Sequence, residues 1–391
     1  MAKIAYWDGN KINHREDITG NDKEIHFNDS GILGTDGGLL YDKTTGVLQV
    51  GTLADADTWT ARTAAEENNW YSVTYGDGLF VAVAYTGTHQ VMTSPDGITW
   101  TARTAAEEND WYSVTYGGGL FVAVTHNGIN RVMTSPDGIT WTARTAAEAN
   151  SWSSVTYGDG LFVAVAYNGT HQVMTSPDGI TWTARTAAEA NSWYSVTYGN
   201  GLFVAVSTDG THRVMTSSDG ITWTARTAAE ANNWFSVTYG NGLFVAVSYN
   251  GTHRVMTSPD GITWTARTAA EANSWRGVTY GNDLFVAIST DGLNRVMTSP
   301  DGITWTARTA AEANNWRGLT YGNGLFVAVS TDGTHRVMTS PRGLRGGVSV
   351  IGATSSEVVK LQQQKKTDYN DWTSLSDVVN ALVAMGIFDT A

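Results

Sequence analysis

The residues best equipped for chemistry in this 391-residue chain are aromatic, imidazole and guanidinium side chains recurring at a spacing of 41. One set follows a repeated tryptophan and changes from copy to copy: Tyr71, Tyr112, Ser153, Tyr194, Phe235, Arg276 and Arg317. A second set sits in a turn that reads AYTGTHQ from Ala84, THNGINR from Thr125, AYNGTHQ from Ala166, STDGTHR from Ser207, SYNGTHR from Ser248, STDGLNR from Ser289 and STDGTHR from Ser330. It supplies Tyr85, His126, Tyr167 and Tyr249, together with His89, His171, His212, His253 and His335. Tyr and Phe rings stack on flat ligand surfaces, and His and Arg hydrogen-bond to hydroxyls, carbonyls and anions, which suits recognition of a sugar or a protein. Two readings stand: a recognition face, or drift at loop positions that packing does not restrain.

Other charged residues repeat without change: Arg62, Arg103, Arg144, Arg185, Arg226, Arg267 and Arg308, and Glu66, Glu107, Glu148, Glu189, Glu230, Glu271 and Glu312. A catalytic centre requires different residues converging from different units, so sevenfold sameness reads as salt bridges between neighbouring units or as loop anchors. The histidines stand singly in their turns, and TDG turns such as Thr208 to Gly210 lack the dense oxygen spacing of a calcium loop. No metal, cofactor or catalytic residue is therefore expected.

The elements that carry these residues follow from the tryptophans. Trp70, Trp111, Trp152, Trp193, Trp234, Trp275 and Trp316 form one series at the 41-residue step, and Trp59, Trp100, Trp141, Trp182, Trp223, Trp264 and Trp305 form another. From Trp70 the unit runs WYSVTYG, LFVAVAY, QVMTS and ITWTAR, four β-prone runs separated by DG, TGTH and PDG turn signals. We label these strands A to D. Such a unit buries its apolar face only against its neighbours, so the period implies a propeller blade or a solenoid turn.

The phase of the array decides between them. It opens on Thr58 to Arg62, a D strand without a C strand, and ends on His335 to Ser340, a C strand without a D. The two orphans complete one blade, which predicts an all-β, seven-bladed propeller of four-stranded antiparallel blades closed by its outer strand. An up-and-down meander then places the D to A and B to C connections, and both variable sets, on one face. The phase also makes both tails leave from the opposite face, that of the C to D turns, so the variable face points away from them.

The run Ser-Pro-Asp-Gly-Ile-Thr-Trp, as at Ser94 to Trp100, occurs five times, with Ser218 replacing the proline in a sixth copy. It resembles the Asp-box of sialidase-like, BNR-repeat propellers, although one residue shorter between Asp and Trp. In that family the box staples the hairpin of the two outer strands. Pro sets φ at the turn entry, Asp caps free N–H groups, Gly takes a positive φ and Trp covers the hairpin.

Seven units account for 287 residues, leaving an N-terminal segment over 1–52, a propeller over 53–344 and a C-terminal segment over 345–391. The segment from His26 to Gly51 resembles the short β-rich stalk repeats of phage tail fibres, with a hairpin turning at Lys43 to Gly46. Val348 to Ile351 and Val358 to Leu361 read as strands, and Ser376 caps a short apolar helix that stops at Gly386, similar to the ends of phage structural proteins. A formal charge of -13 disfavours nucleic acid as a partner, and the chain shows no membrane-spanning run or secretory signal. The absence of cysteine excludes disulfides and thiolate metal sites.

The resemblances imply a virion-located fibre or appendage protein, made in the host cytoplasm. Its flanks would join other virion proteins, as a homo-oligomer such as a trimer. Its propeller would bind a host-surface glycan or protein through several equivalent pockets. The alternatives are a purely structural capsid or tail decoration and a sialidase-like glycosidase.

Overall fold

The computed structural model describes residues 56–341 continuously and, ahead of them, the backbone of five short strands. In this first part Tyr6–Trp7 pairs with Ile12–Asn13, while Gly38–Asp42 and Val47–Gly51 form the expected antiparallel hairpin, with Leu40 opposite Gln49. Ile25–His26 adds to that hairpin in parallel. The strands and helix read from the sequence after residue 345 lie outside the described residues.

Ala56–Arg342 forms one compact unit. It consists of seven four-stranded sheets, each in the order A-B-C-D, and among the described residues it contains no helix. Blade 1 shows the pattern: strand A is Trp70–Gly76, B is Leu79–Ala84, C is Val91–Ser94 and D is Thr101–Arg103. The seventh blade takes its A, B and C strands from Trp316–Gly322, Leu325–Ser330 and Val337–Pro341, and its D strand from Thr60–Arg62. Thr60 pairs with Thr339, Ala61 with Met338 and Arg62 with Val337, so the ring closes between the two ends of the array as their phase predicts.

The core lies between blades, because each sheet has two apolar faces and buries both against its neighbours. Trp111, Phe121, Ala123, Met133 and Trp141 of blade 2 pack on Val81, Val83 and Val91 of blade 1. The closing seam repeats this packing, with Trp70, Phe80, Met92 and Trp100 against Val327, Val329 and Val337. Burial of such a Phe or Met contributes about 1.5–3 kcal/mol, seven times over around the ring. Both tryptophan series belong to this core: Trp70 is fully buried and gives its indole N–H to the Glu66 carbonyl, while Trp100 gives its own to Gly97.

The Ser-x-Asp turns have the geometry that their chemistry implies. In blade 1 the Ser94 hydroxyl donates to Asp96 Oδ1 at 2.8 Å, and the same oxygen accepts the Ile98 and Thr99 N–H groups at 2.8 and 2.9 Å. Gly97 takes φ +72° beneath Trp100. These backbone hydrogen bonds hold the Asp96 carboxyl below the usual range, and bring its counterpart Asp219 down to about 2. Where the first turn is truncated, Ala56 replaces this glycine at φ +60°.

Candidate recognition site on the ring axis

Strand A is the innermost strand of every blade, and neighbouring A strands run side by side around the axis. Five of their junctions are tied by a serine. Ser72 Oγ accepts the Val114 N–H of the next blade at 3.2 Å, with equivalents at Ser113, Ser154, Ser195 and Ser236.

Each A strand also carries a β-bulge at its start. Trp70 pairs with Ala84 and Ser72 with Val83, leaving Tyr71 outside the ladder, and the same slip recurs in all seven blades. A bulge re-aims the extra residue. Here that residue is always the one that varies after the tryptophan.

These side chains meet one another around the axis. Tyr71 and Tyr112 have ring centroids 5.0 Å apart, Tyr194 and Phe235 4.7 Å apart. The Arg276 guanidinium carbon lies 3.7 Å from the Phe235 ring centroid, and that of Arg317 lies 5.1 Å from Tyr71. Tyr112 of the second blade reaches Tyr194 of the fourth at 6.4 Å, because the intervening position is the small, buried Ser153. Contacts that skip a blade show convergence on the centre.

The first residues of the B to C turns form a second tier. Tyr85 stacks on Tyr71 at 5.1 Å and His126 on Tyr112 at 3.9 Å, while Tyr167 lies nearly parallel to Tyr194 at 6.0 Å. Tyr249 stands 4.8 Å from the Arg276 guanidinium carbon. The remaining positions are Thr208, Thr290 and Thr331, so the aromatic rings form a crescent rather than a full circle.

The electrostatics of this cluster are lopsided. Arg276 and Arg317 come from adjacent blades, and neither has an ion pair or a hydrogen bond among the described residues. The Nε atoms of both, and Nε2 of His126, are buried without a hydrogen-bond partner. Burial, and then the like charge of Arg317, pushes the Arg276 guanidinium down. Burial and Arg131 bring His126 down to about 4, so its ring is neutral near pH 7. Burial raises the Tyr112 hydroxyl, while burial and Asp110 push Tyr85 up to about 12.

A second change accompanies the two arginines. The serine that ties neighbouring A strands is Gly277 in blade 6 and Gly318 in blade 7. A Cβ at Gly277 would lie 3.0 Å from the Arg317 carbonyl oxygen, and one at Gly318 would lie 2.8 Å from the Ser72 Cα. The inner wall is tight there, and glycine stands beside each arginine where serine stands beside Tyr71, Tyr112, Ser153, Tyr194 and Phe235.

His89, His171, His212, His253 and His335 do not join this cluster. Each places Nδ1 2.5 Å from Oε1 of a repeated glutamate, respectively Glu66, Glu148, Glu189, Glu230 and Glu312. The glutamate's second oxygen accepts the histidine's backbone N–H, at 3.1 Å for His212. Asn130 and Asn294 replace histidine in two blades and donate to Glu107 and Glu271 at 2.6 Å. This latch ties the D to A connection to the B to C turn and places both on one face. It also explains a glycine: at Gly87, φ +114°, a Cβ would overlap the Asn68 side chain that bonds the His89 carbonyl.

The pairing expected between the repeated arginines and glutamates does not form. Arg103 Nε donates to Thr93 Oγ1 of its own C strand at 3.0 Å, and its counterparts do likewise, so the arginines brace the outer hairpin. Besides the strand-A serines, and Arg308 which reaches Asp57, the links between blades come from a residue at the end of the B to C turn. Gln90 Nε2 donates to the Asn109 carbonyl at 2.7 Å, and Arg131, Arg213, Arg254 and Arg295 make the same bridge.

The expectation of equivalent pockets in every blade also differs from what is found. The B to C turns vary where they touch the bulged residues, and those residues share a single place on the axis. The sequence carried one signal for this, the joint exchange of Tyr-Ser for Arg-Gly.

The fold is that of seven-bladed propeller proteins. Virginiamycin B lyase from Staphylococcus aureus, solved as an inactive variant with quinupristin, matches with a TM-score of 0.64 at 11% identity, over 73% of this chain and 99% of the lyase. YCF48 from Cyanidioschyzon merolae matches with a TM-score of 0.56 at 16% identity, over 74% of this chain and 99% of that one. YCF48 bound to D1 peptide gives a TM-score of 0.55 at 16% identity, over 74% and 96%. At these identities the likeness is one of fold. No protein-family model and no curated protein matches the sequence.

Proposed function

We propose that this protein is a non-catalytic recognition propeller, carried on a virion fibre or appendage, that contacts a host-surface glycan or protein through the axial cluster. The observation that carries the reading is the convergence of the non-repeating side chains. Large residues at the bulged position of six blades, Tyr71, Tyr112, Tyr194, Phe235, Arg276 and Arg317, meet at one spot that holds two unpaired guanidiniums among aromatic rings. Packing alone has no use for two uncompensated charges there.

Three further points support it. Tyrosines whose hydroxyls are pushed up by burial are poor nucleophiles, which weighs against a glycosidase that attacks through tyrosine. A propeller of the same fold, YCF48, holds a peptide. The resemblance of the segment from His26 to Gly51 to fibre stalks supplies the virion setting, with the flanks as the attachment to other virion proteins.

Fluorescently labelled full-length protein, incubated with cells of susceptible and resistant hosts, tests the reading. Saturable staining of susceptible cells that is lost when Tyr71, Tyr112 and Tyr194 are changed to Ser supports it. Equal staining by that variant, or none by the wild type on any host, leaves the structural-decoration alternative.

A further inference from the structure

We propose that Arg276 and Arg317 form an oxyanion site on the ring axis, taking a carboxylate or a phosphate or sulfate ester borne on a flat ring that stacks among the surrounding tyrosines. The inference deepens the recognition reading and rests on the same cluster.

The chemistry is that of unmet demand. Two guanidiniums from adjacent blades face the same centre, repel one another, and have no carboxylate to neutralise them among the described residues. Their Nε–H groups are buried and unbonded. A bidentate oxyanion meets both needs at once, since guanidinium forks match carboxylate and phosphate geometry. Every other arginine among the described residues has a hydrogen-bond partner within the fold: Arg103 and its counterparts bond a C-strand threonine, and Arg131 and its counterparts bond backbone carbonyls.

The surroundings define the rest of the ligand. Phe235 and Tyr249 support Arg276, and Tyr71 supports Arg317, leaving each fork fixed in direction. His126, stacked on Tyr112 in the same cluster, keeps a buried ring nitrogen without a partner. Aromatic rings at several tilts around one charge pair select an anion with a flat, partly apolar body over a bare inorganic ion. The paired glycines make the site costly to obtain by drift, because each arginine comes with a loss of the serine tie beside it.

The test uses the full chain and three probes of one shape: benzoate, phenyl phosphate and uncharged benzamide, each against sodium chloride at matched ionic strength. A ligand that binds the folded state stabilises it as the logarithm of one plus its concentration over Kd, so the melting temperature keeps rising above Kd. Benzoate or phenyl phosphate should raise it with this logarithmic dependence and millimolar affinity, and benzamide should not; the stronger of the two identifies the oxyanion. The response should weaken at least tenfold in Arg276→Gln and Arg317→Gln, and Arg276→Lys should retain part of it. A wild-type protein that responds to neither anion, or to benzamide equally, overturns the site, and this arm does not depend on the variants folding. Host-cell staining is scored separately. Anion binding without staining keeps the site and sinks the receptor role, while staining that benzoate and phenyl phosphate do not inhibit does the reverse.

Discussion

The guanidinium carbon of Arg276 lies 3.7 Å from the centre of the Phe235 ring, although the two residues occupy equivalent positions in successive blades. A repeat that is otherwise almost invariant therefore brings its unlike residues into contact with each other.

The two arginines should oppose folding. Changing Arg276 and Arg317 together to Met removes like charges that lack partners, and should stabilise the propeller by about 1–2 kcal/mol. Calorimetry would show a melting temperature higher by about 2–4 °C. A fall instead would mean that their packing over the rings outweighs the uncompensated charge.

The latch histidines should tolerate asparagine. Asn130 and Asn294 already perform the same donation, so His253→Asn should move stability by less than about 0.5 kcal/mol. Glu230→Ala strands the His253 and Asn232 donors, and should cost about 1–2 kcal/mol. Urea denaturation of the two variants separates a latch from a contact of no consequence.

Acid should loosen the ring within a defined window. In Glu66, Glu148, Glu189, Glu230 and Glu312 desolvation favours the neutral form, but the bonds from the histidine side chain and backbone outweigh it and lower the pKa; the turn aspartates are lowered chiefly by backbone N–H groups. A carboxyl whose folded pKa is depressed contributes stability above its unfolded pKa, and loses that contribution as pH falls through the folded value. Melting temperature should fall first between about pH 6.5 and 4, where the unfolded chain protonates His126 while the folded ring stays neutral, and more steeply from about pH 4 toward pH 2 as the carboxylates take up protons. Asp219→Asn should flatten part of that fall.

Ala56 should improve as glycine. It occupies φ +60° where the other turns of this type carry Gly97 and its equivalents near +70°. Ala56→Gly relieves a left-handed alanine and should add about 1 kcal/mol, measured as a shift of the thermal midpoint. The same exchange at Ala82, inside a strand, should destabilise instead.

The ring and its closure were legible in the sequence because turn residues, alternation and phase all repeat with the 41-residue step. The N-terminal hairpin was legible from its own turn. The axial cluster was only half legible. Tyr71, Tyr112 and Arg276 stood out by varying, but simple strand alternation gives no notice of a bulge that re-aims one residue in seven. The role of the histidines is hidden for the opposite reason: Glu66 recurs in every unit and His89 in most, 23 residues away, and nothing in that spacing reveals the bond between them. The exchange of His for Asn130 and Asn294, which keeps a donor while changing the ring, was the available clue.

The closing strand Thr60–Arg62 has the same three residues, Thr-Ala-Arg, as the outer strand of every other blade. Its bonding therefore gives no preference for its own C strand over that of a second molecule. One neighbouring contact marks the slot without marking the copy: Asp57, at the place the other turns give to isoleucine, reaches the guanidinium of Arg308 at 2.6 Å, and a second molecule offers the same arginine. A newly made chain must leave its first outer strand waiting until the last blade has left the ribosome. During that wait, only the covalent tether, through the high effective concentration it gives the strand at its own ring, favours self-closure over exchange of strands between copies.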